Sequence, residues 1–423
     1  MEFKELSERV EALRKELAEV CSQLVQRPSQ HPEGKTDRCV AYIKNYFDEL
    51  GIKTEVYTLE EGKPNIVVRI KGKSSSTIFW VGHLDVVPEG KLENWTYPPY
   101  SGTIKDNMVW GRGSSDMKGA CASAMVAAKV LSEYQPTHSI DFWFTADEEV
   151  GGRVGARWLA EKHIFKGEAC IIGDGGGSSP GLVNIGVGNK GGLGMRLIAR
   201  GRTAHGSRPY LGENAIDKLL AVIPYARRIG DYRLELPSEL VPIVKSSSEF
   251  LLRDQNLTEA QRLAAKSLYD YPTGPSLNIL NGGVKSNVVP DYAEAQFDVR
   301  LTPGCDAREV KARLEELVEE AGVPGVTVVA SASRSVGYYE PADSPFVASL
   351  SGAVRWVTGV RPALTIAPWG TDAVSVKRFM GVPCLIYGPM VETRLHQPDE
   401  YVPIDNLVTA AKVYAVYPFV HGR

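Results

Sequence analysis

TIFWVGHLDVVP, residues 77–88, decides how this chain folds. The short apolar run 77–81 reads as a buried strand, and it stops at Gly82-His83, so a polar side chain is delivered where the strand ends. The same grammar recurs along the chain. IDFWFT at 140–145 runs into Asp147-Glu148-Glu149, ACII at 169–172 into Gly173-Asp174, and PCLIY at 383–387 into the loop that carries His396. From about residue 40 helical and strand periods alternate, as in an α/β domain, and open α/β sheets keep their sites at the C-terminal ends of their strands. One site built from four distant stretches is the expectation.

After Asp174 comes GGGSSPGLVNIGVGNKGG, 175–192, read as a hinge or domain crossing because it is too glycine-rich for core. Beyond it the pattern predicts strand 194–199, helix 213–229, strands 275–281 and 292–301, helix 306–321 and strand 326–331. That β-α-β-β-α-β order is the split βαβ, or ferredoxin-like, arrangement. The fold class expected is therefore α/β, a catalytic domain with a mixed sheet flanked by helices (1–187 and 334–423), plus an inserted α+β domain (188–333). Residues 232–272 form an extra helical excursion with no evident role. At the start, Phe3, Leu6, Val10, Leu13, Leu17 and Cys21 line one face of an amphipathic helix.

Composition narrows the function classes. At 423 residues the chain exceeds what one core usually organises. A net charge of -3 gives no reason to expect nucleic acid or an anionic membrane as partner. No apolar run approaches the ~20 residues that span a bilayer, and the N-terminus lacks the pattern of a signal peptide. Six cysteines are scattered without paired spacing, which reads as a reduced, cytoplasmic protein.

The chemistry lies in GHLDVVP (82–88), GRGSSDMKG (111–119), TADEEVGG (145–152) and RLHQPDE (394–400), which offer His83, Asp116, Glu149 and His396. Imidazole and carboxylate are zinc ligands, and a neutral imidazole needs an acceptor to orient it, a role Asp85 is spaced to fill for His83. Taken alone, His-x-Asp is weak, Asp116 reads as a cap for the alanine-rich helix that follows, and Glu148-Glu149 reads as a solvated acidic pair. Together they read as a metal centre in which Glu149 binds metal and Glu148 moves protons. Two divalent cations would meet the three carboxylates Asp116, Glu149 and Asp174 and one bridging hydroxide at neutrality, whereas a single metal leaves the site anionic.

In this order the motifs resemble the dinuclear zinc M20 metallopeptidases and amidohydrolases, a family that includes succinyl-diaminopimelate desuccinylase, acetylornithine deacetylase, aminoacylase and glutamate carboxypeptidase. The resemblance covers nearly the whole chain. It implies that His83 and Asp174 hold one metal, Glu149 and His396 the other, and Asp116 bridges them, with Asp85 orienting His83 and Glu148 as general base. The metals implied are zinc, with cobalt or manganese as alternatives. Gly201-Arg202-Thr203-Ala204-His205 is similar to the family's lid motif, which makes His205 an oxyanion donor acting across a homodimer formed through the lid. Asn287, Arg300 and the Gly370-Thr371 backbone fit the positions that receive a substrate carboxylate. Trp369 stands where relatives often carry a second glycine, and Thr371-Asp372-Ala373 is closer to the carboxypeptidase and aminoacylase branches.

The activity expected is hydrolysis of the amide bond of an N-acyl amino acid or short peptide with a free carboxylate. A metal-bridging hydroxide attacks, and Glu148 serves as base and then acid. A biosynthetic desuccinylase or deacetylase is the nearest alternative. A non-catalytic metal-containing binding scaffold is the alternative from another class, and a free carboxylate at Glu148 argues against it.

Overall fold

The computed structural model describes residues 2–179, 181–253 and 257–421. The chain forms two compact units, one of residues 1–188, 340–365 and 371–423 and one of 189–339 and 366–370. Nothing periodic in the sequence marks the short return Ile366–Gly370 as part of the second unit.

The first unit is built on a mixed sheet. Seven of its nine strands lie in the order Thr54–Thr58, Pro64–Ile70, Ser139–Thr145, Thr77–His83, Cys170–Gly177, Cys384–Gly388 and Asn184–Asn189. Pairing is parallel through the centre and antiparallel at both ends. The central strands are buried along nearly their whole length, as the unbroken apolar runs 77–81 and 140–145 required. Helices Gly119–Ser132 and Ile404–Val420 are almost wholly buried, consistent with their alanine- and valine-rich sequences. The N-terminal amphipathic stretch forms two helices, Glu2–Ala12 and Arg14–Val25, and Leu6, Val10, Leu17 and Cys21 are fully buried.

The glycine run 175–192, expected as a hinge or domain crossing, holds a unit boundary near its far end, while its start is packed strand. The strand continues through Cys170–Gly177, and its glycines are there for close packing. A Cβ on Gly173 would meet Trp80 at 2.3 Å and one on Gly175 would meet Ile386 at 2.4 Å, while Gly177 has φ of 109°. Only the far end of the run, at Gly188-Asn189, coincides with a unit boundary.

In the second unit four antiparallel strands lie in the order Thr273–Gly282, Tyr292–Leu301, Gly191–Arg200 and Val326–Ser335. Alternate residues Leu193, Met195, Leu197 and Ala199 form one core with Leu219, Val222, Val310 and Leu314 of helices Ala215–Arg227 and Ala307–Glu320. Helices Val241–Leu251 and Glu259–Lys266 occupy the 232–272 excursion. Among the described residues no helix is long and apolar enough to cross a membrane.

Candidate metal centre

Parallel strands Thr77–His83, Ser139–Thr145 and Cys170–Gly177 bring His83, the Glu148-Glu149 turn and Asp174 to one sheet edge. Asp116 reaches it from the loop before the alanine-rich helix. Its carboxylate does not cap that helix, whose N-terminus has no side-chain cap bond. Instead Asp116 Oδ1 lies 3.2 Å from His83 Nε2 and Oδ2 lies 3.3 Å from His396 Nε2. His396 Nε2 is also 3.5 Å from Glu149 Oε2. Two donor sets result, His83/Asp116/Asp174 and Asp116/Glu149/His396, each with its ligand atoms within 4.8 Å of one another, and Asp116 belongs to both.

Asp85 is tied to this edge in a way its spacing did not reveal. His83 Nδ1 meets the Asp85 main-chain carbonyl at 2.9 Å, while the nearer carboxylate oxygen is 3.7 Å away. That carboxylate accepts the Glu148 and Glu149 N–H groups, both at 3.1 Å, and lies 2.9 Å from His31 Nε2. Asp147 takes φ of 72° to turn the chain between strand and glutamates. One residue therefore orients the imidazole through its backbone and the glutamate turn through its side chain.

The Asp116 loop has a comparable support. Glu400 Oε1 accepts the N–H groups of Ser115 and Asp116 at 2.9 and 3.0 Å, and its other oxygen pairs with Arg112 at 2.6 Å. Arg112 and Glu400 are both buried, an arrangement worth keeping only with its partners satisfied. His31, Arg112 and Glu400 had not been singled out for these roles. Glu400 stands in the RLHQPDE stretch, four residues after His396, which was its only signal.

Burial and neighbouring charges shift the acids and imidazoles of the site in opposite senses. Burial pushes the carboxyls of Glu148 and Asp174 well above the usual range, and neighbouring carboxylates add to the effect. Burial, then Asp116, raises Glu149 as well. Burial also opposes ionisation of Asp116, yet His396 and His83 outweigh it and hold its pKa low. Bonds to Asp116 and Glu149 push His396 up to about 10. His83 is raised well above its ordinary value against the cost of burial, by Asp116 and Asp85. Asp372, also buried, is pushed up to about 7, mainly by burial. The clustered carboxylates thus favour positive charge at this edge. Glu149 Oε1 is buried without a hydrogen-bond partner among the described residues. Oxygen and nitrogen donors in two sets sharing one carboxylate fit a pair of divalent cations.

The remaining expected site residues lie in or beside the second unit. His205 and Asn287 are neighbours there. Strands Ala204–His205 and Val288–Val289 pair, and the Gly206 N–H donates to the Asn287 carbonyl at 2.7 Å. The exposed His205 has its Nδ1 2.8 Å from Ser207 Oγ. Arg300 Nε donates to both oxygens of Asp298 at 3.0 Å. Gly370 ends the short return segment and the buried Thr371 begins the next stretch of the first unit.

The sequence profile of peptidase family M20/M25/M40 matches residues 79–418, and the chain belongs to that family. A probable succinyl-diaminopimelate desuccinylase of Staphylococcus aureus (strain MRSA252) is 30% identical over 398 residues, covering 86% of this chain and 88% of that protein. Among solved structures, an M20 family metallo-carboxypeptidase, Sso-CP2, from Sulfolobus solfataricus superposes with a TM-score of 0.78 at 22% identity, covering 96% of this chain and 99% of its own. The Bacillus subtilis YXEP protein, a dinuclear metal-binding peptidase of the family, superposes with a TM-score of 0.63 at 16% identity, covering 97% and 98%. The chain is thus a metal-dependent hydrolase of amide bonds, and its mixed α/β architecture is that of M20 enzymes.

Proposed function

We propose, from membership of the M20 peptidase family, that this enzyme hydrolyses the amide bond of N-acyl amino acids or short peptides bearing a free carboxylate. The observation that carries the reading is Asp116, shared by two donor sets, with the partly buried Glu148 beside them in neither set. In this reading His83 and Asp174 would hold one divalent ion and Glu149 and His396 a second, with Asp116 serving both. Two such ions, when bound, polarise a carbonyl and lower the pKa of water between them.

Glu148 is the group free to move protons. Its raised pKa suits a base that takes a proton from the attacking water and returns it to the leaving amine. Asp85 holds the Glu148 backbone, so the carboxylate is aimed before substrate arrives. His205 donates to the developing oxyanion, and Arg300, Asn287 and the Gly370-Thr371 backbone receive the substrate's carboxylate, the guanidinium by two parallel bonds. The second unit acts as a lid and as the contact of a homodimer in which His205 serves the partner's site. The ions are zinc, with cobalt or manganese as alternatives, and the enzyme works in the cytoplasm.

Replacing Glu148 with Gln is the deciding experiment. It leaves metal content unchanged and lowers kcat by about 10³-fold, because this group acts only in the chemical step. Near-normal turnover in that variant sinks the assignment. The desuccinylase relative supports a second reading, N-succinyl-diaminopimelate as substrate. A panel of that compound, N-acetylornithine, N-acyl amino acids and dipeptides separates the two by kcat/KM, and metal analysis of the purified protein identifies the ions.

A further inference from the structure

The 232–272 excursion, itself part of the second unit, bonds to the chain beside three of the four places where it enters or leaves that unit. Unit boundaries fall at Gly188-Asn189, Tyr339-Glu340, Thr365-Ile366 and Gly370-Thr371. Beside the first, buried Lys190 donates through Nζ to the Leu268 carbonyl and, at 2.7 Å, to Thr273 Oγ1, and it lies 4.8 Å over the Tyr269 ring. At the second, the Tyr339 hydroxyl donates to Glu239 at 2.7 Å. At the third, Ile366 is held from both sides. Its N–H donates to Ser247 Oγ at 2.9 Å and its carbonyl accepts the Tyr269 hydroxyl at 2.6 Å. The two crossings also bond to each other, Lys190 N–H to the Ala367 carbonyl at 2.9 Å.

These partners are not incidental surface groups. Lys190, Ser247 and Tyr269 are all essentially inaccessible to solvent. The Tyr269 carbonyl is taken by Thr302 at 2.6 Å, and the ends of the excursion are drawn together by Leu234 N–H donating to the Asp270 carbonyl at 2.7 Å. An ammonium buried in this way is costly unless its surroundings are rigid and well bonded. Burial, then Arg300, pushes Lys190 down to about 7.

We propose that the 232–272 excursion is a brace for the chain crossings, with Tyr269 and Ser247 as positioning residues that fix the Ile366–Gly370 segment. Because that segment ends at the Gly370-Thr371 backbone, the brace sets how ready that backbone is to receive the substrate carboxylate. This last step rests on the function proposed above; the mechanical step does not. Removal of a single such hydrogen bond weakens local structure enough to speed amide exchange about fivefold.

Hydrogen–deuterium exchange on the full-length, zinc-loaded chain tests the brace without substrate. Ser247→Ala, a small change that keeps the helix, is expected to speed exchange about fivefold at Ile366, at the amides through Gly370 and at Lys190 together. Tyr269→Phe, which keeps the ring under Lys190, is expected to do the same. Acceleration confined to Ile366, or no acceleration, overturns the proposal. With a hydrolysed carboxylate substrate, Tyr269→Phe is expected to raise KM about fivefold and leave kcat within about twofold. An unchanged KM beside altered exchange overturns the positioning role and leaves the brace, and lack of turnover on every substrate counts against the proposed function alone.

Discussion

The metal-ligand cluster and the second-unit residues were read from the same kind of motif, yet the structure treats them oppositely. His83, Asp116 and Asp174 are buried, and the backbone of Asp116 and the ring of His83 are each held by groups outside the ligand set. His205 and Asn287 are exposed, His205 bonds only to its own turn among the bonds described, and Arg300 is partly exposed and shared with Asp298. An exposed ion pair of that kind contributes ~1 kcal/mol or less. His83, Asp116 and Asp174 are organised before any ligand arrives, as electrostatic catalysis requires, whereas Glu149 is half-buried and His396 is exposed. The second-unit set has donors still to be engaged, which suits residues completed by substrate or by a second copy of the chain.

The largest test of this contrast is Asp116→Asn. Because one carboxylate serves both donor sets, metal analysis should show loss of both ions and activity should fall more than about 10³-fold. If one ion remains at full occupancy, Asp116 is not shared. His205→Ala should instead leave metal content intact and lower kcat by about 10²-fold. Mixed with chains carrying Asp116→Asn it should recover activity in verified heterodimers, and no recovery there argues against action across the dimer.

Smaller effects sharpen the role of the supporting groups. Glu400→Gln keeps its shape and weakens its grip on the Ser115 and Asp116 N–H groups and on Arg112. Metal affinity should drop about 10- to 100-fold while the far edge of the sheet is unaffected, and an unchanged affinity by calorimetry would remove Glu400 from the site. Protonation supplies the last test. In the ion-free chain His396 is raised to about 10 and His83 is raised well above its ordinary value, so metal binding competes with protons on the imidazoles. Uptake of the ions should release protons, and affinity should rise with pH. The sign for stability follows from the same shifts. Groups raised above 6.5 in the folded state stabilise the ion-free chain below that pH, and this is lost as pH climbs toward about 10. Thermal melts of ion-free and ion-loaded chain should diverge over that window.

Much of this was legible in single stretches of chain. A strand that must be buried on both faces announces itself as TIFWV, and the residue after it is where a sheet of this class places chemistry. Alternation in 191–200 and the helical faces of 215–227 and 307–320 were equally local. What single stretches left open shares one cause. Glycine content in 175–192 does not say whether a neighbour occupies the missing Cβ, so it could not separate the packed strand end at Gly175–Gly177 from the unit boundary at Gly188-Asn189. Asp116 taken alone could cap a helix because its partners lie elsewhere in the chain. Asp85 was expected to orient His83, and its carbonyl is what faces the ring, while its carboxylate faces residues 63 and 64 positions away.

The sequence by itself offered the candidate ligand residues and the carboxylate proposed to move protons, because metal binding and proton transfer accept few side chains and most of those follow strand ends that a short apolar run reveals. Tertiary structure alone decided what holds them. His31 reaches Asp85 across 54 residues, Glu400 reaches Asp116 across 284, and Tyr269 reaches Ile366 across 97. Each depends on a distance of about 3 Å set by the packing of whole elements, and a hydrogen bond of that kind leaves no periodicity in the chain that makes it.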